Sequence, residues 1–78
     1  MRPKELQCVI SFHATTEAMA FEEAAKAAGF KGRLIPVPTS IKAGCGLAWR
    51  DEPESKETLW QFIKDKGLAF EAIHELVI

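Results

Sequence analysis

The stretch LQCVISF, residues 6–12, alternates apolar and other side chains as a half-buried β-strand does. Successive side chains of a strand point to opposite faces, so Leu6, Cys8, Ile10 and Phe12 would share the face that packs on a core. The other face would carry Gln7, Val9, Ser11 and His13. The segment therefore predicts a first strand, and the residues after it indicate what packs against that strand.

A helix is predicted directly after this strand. Thr15 or Thr16 can cap it, and Glu17 suits its first turn, because a carboxylate interacts favourably with the positive end of a helix. Gly29 suits its end, since glycine readily adopts the left-handed conformation found there. An apolar stripe at helical spacing consists of Ala18, Phe21, Ala25 and Ala28. These alanines favour close packing of the helix on a sheet.

Two more strands are predicted in the middle of the chain. Residues 31–37 form the second, in which Pro36, followed by Pro38, cannot donate to a ladder, so we expect an edge strand. Residues 39–44 form a loop, and residues 46–50 form a short third strand. The middle of the chain therefore predicts two strands joined by a loop.

A second helix and a last strand complete the chain. The turn at residues 51–54 leads into the helix, and Pro53 suits its first position. Its inner face would carry Leu59, Phe62, Ile63 and the stem of Lys66, and Gly67 would end it. Residues 69–78 form the last strand, with Phe70, Ile73, Leu76 and Val77.

The predicted order is strand, helix, strand, strand, helix, strand, within a single domain over residues 1–78. This order is typical of an α+β ferredoxin-like two-layer sandwich, whose antiparallel sheet has the order 4-1-3-2 and both helices on one face. Strands one and three are then antiparallel neighbours. That pairing would bring Cys45 close to His13, Ala14 and the N-terminus of the first helix.

Composition excludes several classes of function. The chain has 78 residues, with 10 basic and 11 acidic side chains, so it has no basic excess to bind nucleic acid. No apolar run is long enough for a membrane span, and the first residues lack the apolar segment of a signal peptide, so we expect a cytoplasmic protein without membrane contact. The two cysteines, Cys8 and Cys45, form no Cys-x-x-Cys pair. We therefore expect no metal site and no cofactor.

The segment GCGLAWR, residues 44–50, is the strongest local feature. Gly44 and Gly46 give Cys45 little steric cover and let backbone N–H groups approach whatever its sulfur carries. The alternative is that the glycines only serve a tight turn. Cys8 lies on the apolar face of the first strand, so we expect Cys8 to be buried and Cys45 to be accessible.

Three side chains in or near this segment could assist Cys45, and Trp49 lies within it. His13 could act as a base or a cationic neighbour, and Lys42 and Arg50 could contact an anion, although ordinary solvated charge is the alternative for each. Trp49 alternates onto the same face as Cys45, where it either packs in the core or marks a contact surface.

The chain resembles a family of small bacterial domains described as putative selenium/sulfur carrier protein-like. The resemblance runs from about residue 7 to residue 76 and depends on three segments. They are VISF at 9–12 before a capped helix, LIPVP at 34–38, and Ser40 through the CGLA motif at 45–48 with Arg50. Thr39 departs from the arginine that often follows the Pro-x-Pro segment in the family, and Trp49 is bulkier than expected.

The resemblance implies a carrier that holds sulfur or selenium on Cys45, as a persulfide or selenopersulfide, between donor and acceptor proteins. A second hypothesis is a regulatory or assembly module that dimerises or docks a partner through its open sheet face, with Trp49 near the contact. A stand-alone thiol enzyme ranks last, because the sequence offers no convincing set of base, nucleophile and orienting group.

Overall fold

A computed structural model describes residues 5–42 and 44–78. The strands are β1 (Leu6–Ser11), β2 (Arg33–Pro36), β3 (Leu47–Asp51) and β4 (Ala72–Val77). The helices are α1 (Thr15–Ala27) and α2 (Lys56–Lys66), the latter preceded by a 3₁₀ turn at Pro53–Ser55. No helix in these described ranges is long and apolar enough to cross a lipid bilayer.

The four strands form one antiparallel sheet in the order β2-β3-β1-β4. β1 and β3 are the central strands, and Ile10 of β1 lies opposite Trp49 of β3 and Ile73 of β4. This is the predicted order 4-1-3-2 read from the other edge, so the fold class is confirmed.

Both helices pack on the same face of the sheet, as predicted. α1 contributes Ala18, Phe21 and Ala25 to this core, and α2 contributes Leu59 and Ile63. The ring of Phe21 lies 5.4 Å from that of Phe12 and 5.4 Å from that of Trp49, both in tilted or edge-on geometry. Such aromatic packing holds α1 directly over the central strands.

The sheet face away from the helices carries a second, smaller apolar cluster. Ile41 packs there on Val9 and Ala48, and all three are buried. Partly buried neighbours extend this second cluster: Ile35, Val37, Leu76 and Ile78. Trp49 points to the helix side and is completely buried, so the expectation that Trp49 lies near a contact on the open face is wrong. Docking through the apolar residues of that face stays a prediction.

The N-terminus of α1 differs from the sequence prediction, whereas the ends of both helices agree with it. Ala14, with an extended backbone, is the N-cap of α1, and neither threonine caps it through its side chain. Glu17 reaches back instead, and its Oε1 accepts a hydrogen bond of 2.8 Å from the backbone N–H of His13. Gly29 and Gly67 have φ of 90° and 64° and end the two helices as predicted.

Two strands are shorter than predicted, and one apolar position is exposed. β2 begins at Arg33 and β4 at Ala72, after segments that are neither helix nor strand. Ala28, predicted on the apolar stripe, is exposed because α1 ends before it.

Candidate functional site

The loop between β2 and β3 passes around one end of the sheet. Ile41 packs on the face away from the helices, whereas Cys45 packs into the core on the helix side. The backbone N–H of Cys45 donates to the carbonyl of Phe12 at 3.2 Å, which ties the loop to the residue after β1. This path places Cys45 at the N-terminus of α1.

Two hydrogen-bonding groups contact the sulfur of Cys45. The backbone N–H of Leu47 donates to Sγ at 3.3 Å, and the Oγ1 of Thr15 lies 3.6 Å from Sγ. Thr15 is the first residue of α1, so the sulfur also lies at the positive end of the helix dipole. The N–H donates to the sulfur, and the hydroxyl can donate to it when the sulfur carries negative charge, as in a thiolate or a persulfide.

The two glycines around Cys45 serve different purposes. A Cβ on Gly44 would lie 2.5 Å from the backbone oxygen of His13, so the close contact between loop and chain excludes any side chain there. The N–H of Gly44 also donates to Oε2 of Glu71 at 3.4 Å. A Cβ on Gly46 would meet nothing within 4 Å. Gly44 is therefore required by packing, and Gly46 leaves open space beside the cysteine.

The prediction that Cys45 is accessible is wrong for this conformation, because only 4% of the residue is exposed. The glycines on either side are exposed, but the cysteine side chain turns inward beneath α1. The glycine pattern indicates an uncovered backbone and does not report the direction of the side chain between them. The sulfur lies just beneath the surface.

The backbone of His13, rather than its side chain, lies against the loop that carries Cys45. Its imidazole is 61% exposed, and Nδ1 lies 3.2 Å from Oε1 of Glu17. Among the described residues, no hydrogen bond joins this ring to the sulfur of Cys45. The topology thus brings His13 to the loop as predicted, and its ring lies on the solvent side.

Lys42 and Arg50 do not lie around the sulfur of Cys45. Lys42 is exposed in the loop. Arg50 lies opposite Val9 and Arg33 in the sheet, on the face away from Trp49, and lines a small polar pocket toward the other end of β3. The structure therefore does not place Arg50 where it could contact a group on Cys45.

Cys8 of β1 is completely buried, as predicted, and lies opposite Asp51 of the other central strand, β3. Burial raises the pKa of its thiol to about 11, and the negative charge of Asp51 acts in the same direction. Asp51 is itself held by hydrogen bonds from Nε1 of Trp49 at 3.2 Å and from the N–H of Glu52 at 2.8 Å. Cys8 is therefore a structural, protonated thiol.

A comparison with protein families shows where this chain belongs. A family model described as "Putative Se/S carrier protein-like" matches residues 7–75. The chain belongs to this family. A search of curated proteins and a search of solved structures each found no match. Cys45 and all the groups that contact its sulfur lie within the matched part of this Se/S carrier-like chain.

Sequence reasoning missed three groups in the carrier-like site. Thr15 was interpreted only as a helix cap, although a hydroxyl residue at the start of a helix can equally contact a neighbouring loop. The N–H of Leu47 carries no side-chain signal. Glu71 lies 26 residues after Cys45 and only the sheet topology brings it to Gly44.

Proposed function

We propose that this protein carries sulfur or selenium on Cys45 and transfers it between a donor and an acceptor protein. The observation that supports the proposal most strongly is the setting of the sulfur. Sγ lies at the first turn of α1, with the N–H of Leu47 at 3.3 Å and the hydroxyl of Thr15 at 3.6 Å. The family description, which names a Se/S carrier, is consistent with this setting.

The proposed chemistry is a pair of exchange reactions on sulfur. The thiolate of Cys45 attacks the terminal sulfur of a donor persulfide, the new Sγ–S bond forms, and the donor's S–S bond breaks. The donor leaves as a thiolate, and the proton of its persulfide stays with the transferred atom or passes to water. An acceptor nucleophile then takes the terminal atom and Cys45 leaves as a thiolate. Selenium follows the same sequence, and neither step needs an outside oxidant or reductant.

The burial of Cys45 requires a small opening before either exchange. Cys45 lies between an anchor at Ile41 and the start of β3. Its neighbour Gly46 has nothing within 4 Å of where its Cβ would be, so this side of the cysteine is open. Such a loop would expose the sulfur on contact with a partner and protect the loaded chalcogen from water between contacts.

The neighbouring charges have secondary roles in this proposal. The exposed imidazole of His13, held by Glu17, is a cationic neighbour for an incoming persulfide when it is protonated. Lys42, exposed in the same loop, could attract the same anion. The N–H of Gly44 donates to Glu71, so of the two glycines we assign a backbone contact with the carried atom only to Gly46. Arg50 lies too far along β3, on the opposite face, to be included.

The test is to load the reduced protein with a cysteine desulfurase and either cysteine or selenocysteine, then to measure its intact mass. We expect a gain of one chalcogen atom that is lost in Cys45→Ser and retained in Cys8→Ser. The two variants are matched, since each removes one thiol. Equal loading of both cysteines, or no loading with either donor, would contradict the proposal.

A second measurement separates a carrier from a merely reactive thiol. Loaded protein, freed of excess donor, is mixed with selenophosphate synthetase or a sulfur acceptor, and the label is followed. Transfer supports carriage, whereas stable loading without transfer contradicts it. In that case the protein is better described as a binding module.

A further inference from the structure

Three N–H groups of the segment around Cys45 have acceptors of different kinds. The N–H of Cys45 donates to the carbonyl of Phe12 at 3.2 Å, and the N–H of Leu47 donates to the sulfur itself at 3.3 Å. The N–H of Gly44 donates to Oε2 of Glu71 at 3.4 Å. Of these three acceptors, only the carboxylate belongs to a side chain from another part of the sequence, so it can be removed without changing the segment itself.

Glu71 presents its carboxylate from a fixed position at the end of the sheet. Its own N–H donates to the carbonyl of Ser11, the last residue of β1, at 2.7 Å, and β4 begins directly after it at Ala72. The residue is half-buried, and its side chain reaches from there to Gly44. A side chain supported by regular elements holds its target more precisely than one on a loop. Gly44 is therefore tied to the sheet.

Gly44 affects the direction of the sulfur because it directly precedes Cys45. Its backbone lies against His13, where a Cβ would come within 2.5 Å of the carbonyl oxygen, and its N–H is held by Glu71. With Gly44 in this place, the side chain of Cys45 turns inward beneath α1, and only 4% of the residue is exposed. A displacement of Gly44 would move the Cα–Cβ bond of the next residue and bring the sulfur toward solvent.

The hydrogen bond between Gly44 and Glu71 lies at the surface, and this position decides what its loss would do. Water can take the place of the carboxylate at an exposed N–H, so the fold does not depend on this bond. Neither residue belongs to the two core clusters. Removing the carboxylate should therefore leave the domain folded and mainly change how often Gly44 and Cys45 leave their place, which is a local opening.

We propose that Glu71 is a positioning residue for Cys45. Its carboxylate holds Gly44 beside His13 and so limits how often the sulfur is exposed. This control of exposure does not depend on what Cys45 does. Its role in the carrier rests on the function proposed above: the hold slows exchange with small thiols, so that a loaded atom is retained until a partner protein binds.

The first test is the rate at which neutral iodoacetamide alkylates Cys45, measured at increasing pH until the rate no longer rises. We expect Glu71→Ala to raise this limiting rate about three- to five-fold, because a long, exposed hydrogen bond has only a modest free energy. Glu71→Gln should stay near the wild type, since the amide oxygen accepts the same hydrogen bond. Both variants lose the charge, so a shift in the midpoint of the pH profile that they share reports the charge alone.

Two controls show whether the effect is local. Glu23→Ala makes the same chemical change at an exposed position of α1 and should leave the rate of Cys45 unchanged. Alkylation of Cys8 in the same samples reports opening of the whole domain, and its rate should change less than that of Cys45. The proposal is overturned if Glu71→Ala reacts no faster than the wild type, if Glu71→Gln reacts as fast as Glu71→Ala, or if Cys8 is accelerated in the same proportion as Cys45.

The second test uses the loaded protein, freed of excess donor and mixed with glutathione. The glutathione thiolate takes the terminal sulfur or selenium as a new persulfide or selenopersulfide, and Cys45 leaves as a thiolate. We expect Glu71→Ala to lose the atom about three-fold faster than the wild type, and Glu71→Gln to match the wild type. Equal losses would overturn the role in retention. If the wild type does not load, the carrier function fails, while the alkylation rates still decide whether Glu71 positions Cys45.

Discussion

The two cysteines of this chain are almost equally buried, but their positions in the fold and the groups around their sulfur atoms differ. Cys8 lies in the middle of a central strand, has no exposed surface and faces Asp51 across the sheet. Cys45 is 4% exposed, lies in a loop, and has an N–H and a hydroxyl directed at its sulfur. The comparison shows that two thiols with nearly the same exposed surface can have quite different surroundings.

Two properties separate them. The first is the free energy needed to expose the sulfur, and the second is the set of groups that stabilise a negative charge on it. Exposing Cys8 means separating β1 from its neighbours under both helices, which is close to unfolding the domain. Exposing Cys45 needs only a displacement of the loop that ends at β3. Local openings of this kind have free energies far below that of global unfolding.

The largest expected difference is in the rate of alkylation. With iodoacetamide at pH 8 under native conditions, we expect Cys45 to react about 100-fold or more faster than Cys8, because Cys8 waits for global opening and its thiol, with a pKa of about 11, stays protonated. Peptide mapping over time gives both rates in one sample.

Cys45→Ser and Cys8→Ser serve as controls for the assignment of the two rates, and denaturant should bring the two cysteines to similar reactivity. Faster labelling of Cys8 in the native protein would reverse the comparison, and equal rates would mean that the loop opens only when the whole domain does.

The next effect is a loss of stability at alkaline pH that is specific to Cys8. Its thiol has a pKa of about 11 when folded against 9.0 as the reference. The raised folded value means that the unfolded chain loses the proton first, so stability is intact below pH 9 and falls as the pH rises toward 11. Two pKa units correspond to about 2–3 kcal/mol of unfolding free energy.

The measurement is urea unfolding at pH 8, 9, 10 and 11 for the wild type and for Cys8→Ala. The variant is less stable at every pH because it leaves a small cavity, but its curve should be flatter above pH 9. Alkaline groups that do not interact with Cys8 titrate in both proteins and cancel in the difference. Lys56 does not cancel completely, because the Cys8 thiolate helps to raise its pKa, although its hydrogen bond to Glu75 is the larger cause. Parallel curves would show that Cys8 does not keep its proton in the folded state.

A third difference concerns the glycines beside Cys45. Gly44→Ala should lower the free energy of unfolding by about 1–3 kcal/mol, since the new methyl group would lie 2.5 Å from the carbonyl oxygen of His13. Gly46→Ala is the matched control, with nothing within 4 Å, and should stay within about 0.5 kcal/mol of the wild type. Urea unfolding of both variants checks this, and an equal cost for the two would mean that the loop is not fixed against His13.

The fold could be predicted from the sequence because each element carried its own local signal. The alternation at residues 6–12, the glycines at the ends of both helices and the prolines of β2 all describe single elements, and their order restricts the topology. The predicted neighbourhood of Cys45 and His13 followed from that topology, and the backbone contact between Gly44 and His13 agrees with it.

The exposure of particular side chains could not be predicted in the same way. The burial of Cys45 and the coverage of Val9 both depend on how the loop after β2 crosses the end of the sheet. That path follows from tertiary contacts of Ile41, a single apolar residue in an otherwise unpatterned loop. Period and composition describe regular elements, whereas a loop is positioned by the surfaces that it happens to meet.

The smallest expected effect concerns a single hydroxyl group beside Cys45, that of Thr15. Thr15→Val removes the Oγ1 that lies 3.6 Å from the sulfur of Cys45 and keeps the shape of the side chain. The hydroxyl helps to stabilise a negative charge on the sulfur, so its loss should slow both chalcogen loading and alkylation two- to five-fold, which corresponds to about 0.5–1 kcal/mol. Thr16→Val, at the next exposed position of α1, makes the same chemical change away from the sulfur and should leave both rates unchanged.

Initial rates from intact mass spectra, with unfolding curves to show that both variants are equally stable, provide the measurement. Equal rates in the two variants would mean that Thr15 only borders the sulfur, and the N–H of Leu47 would remain as the group that supports its charge.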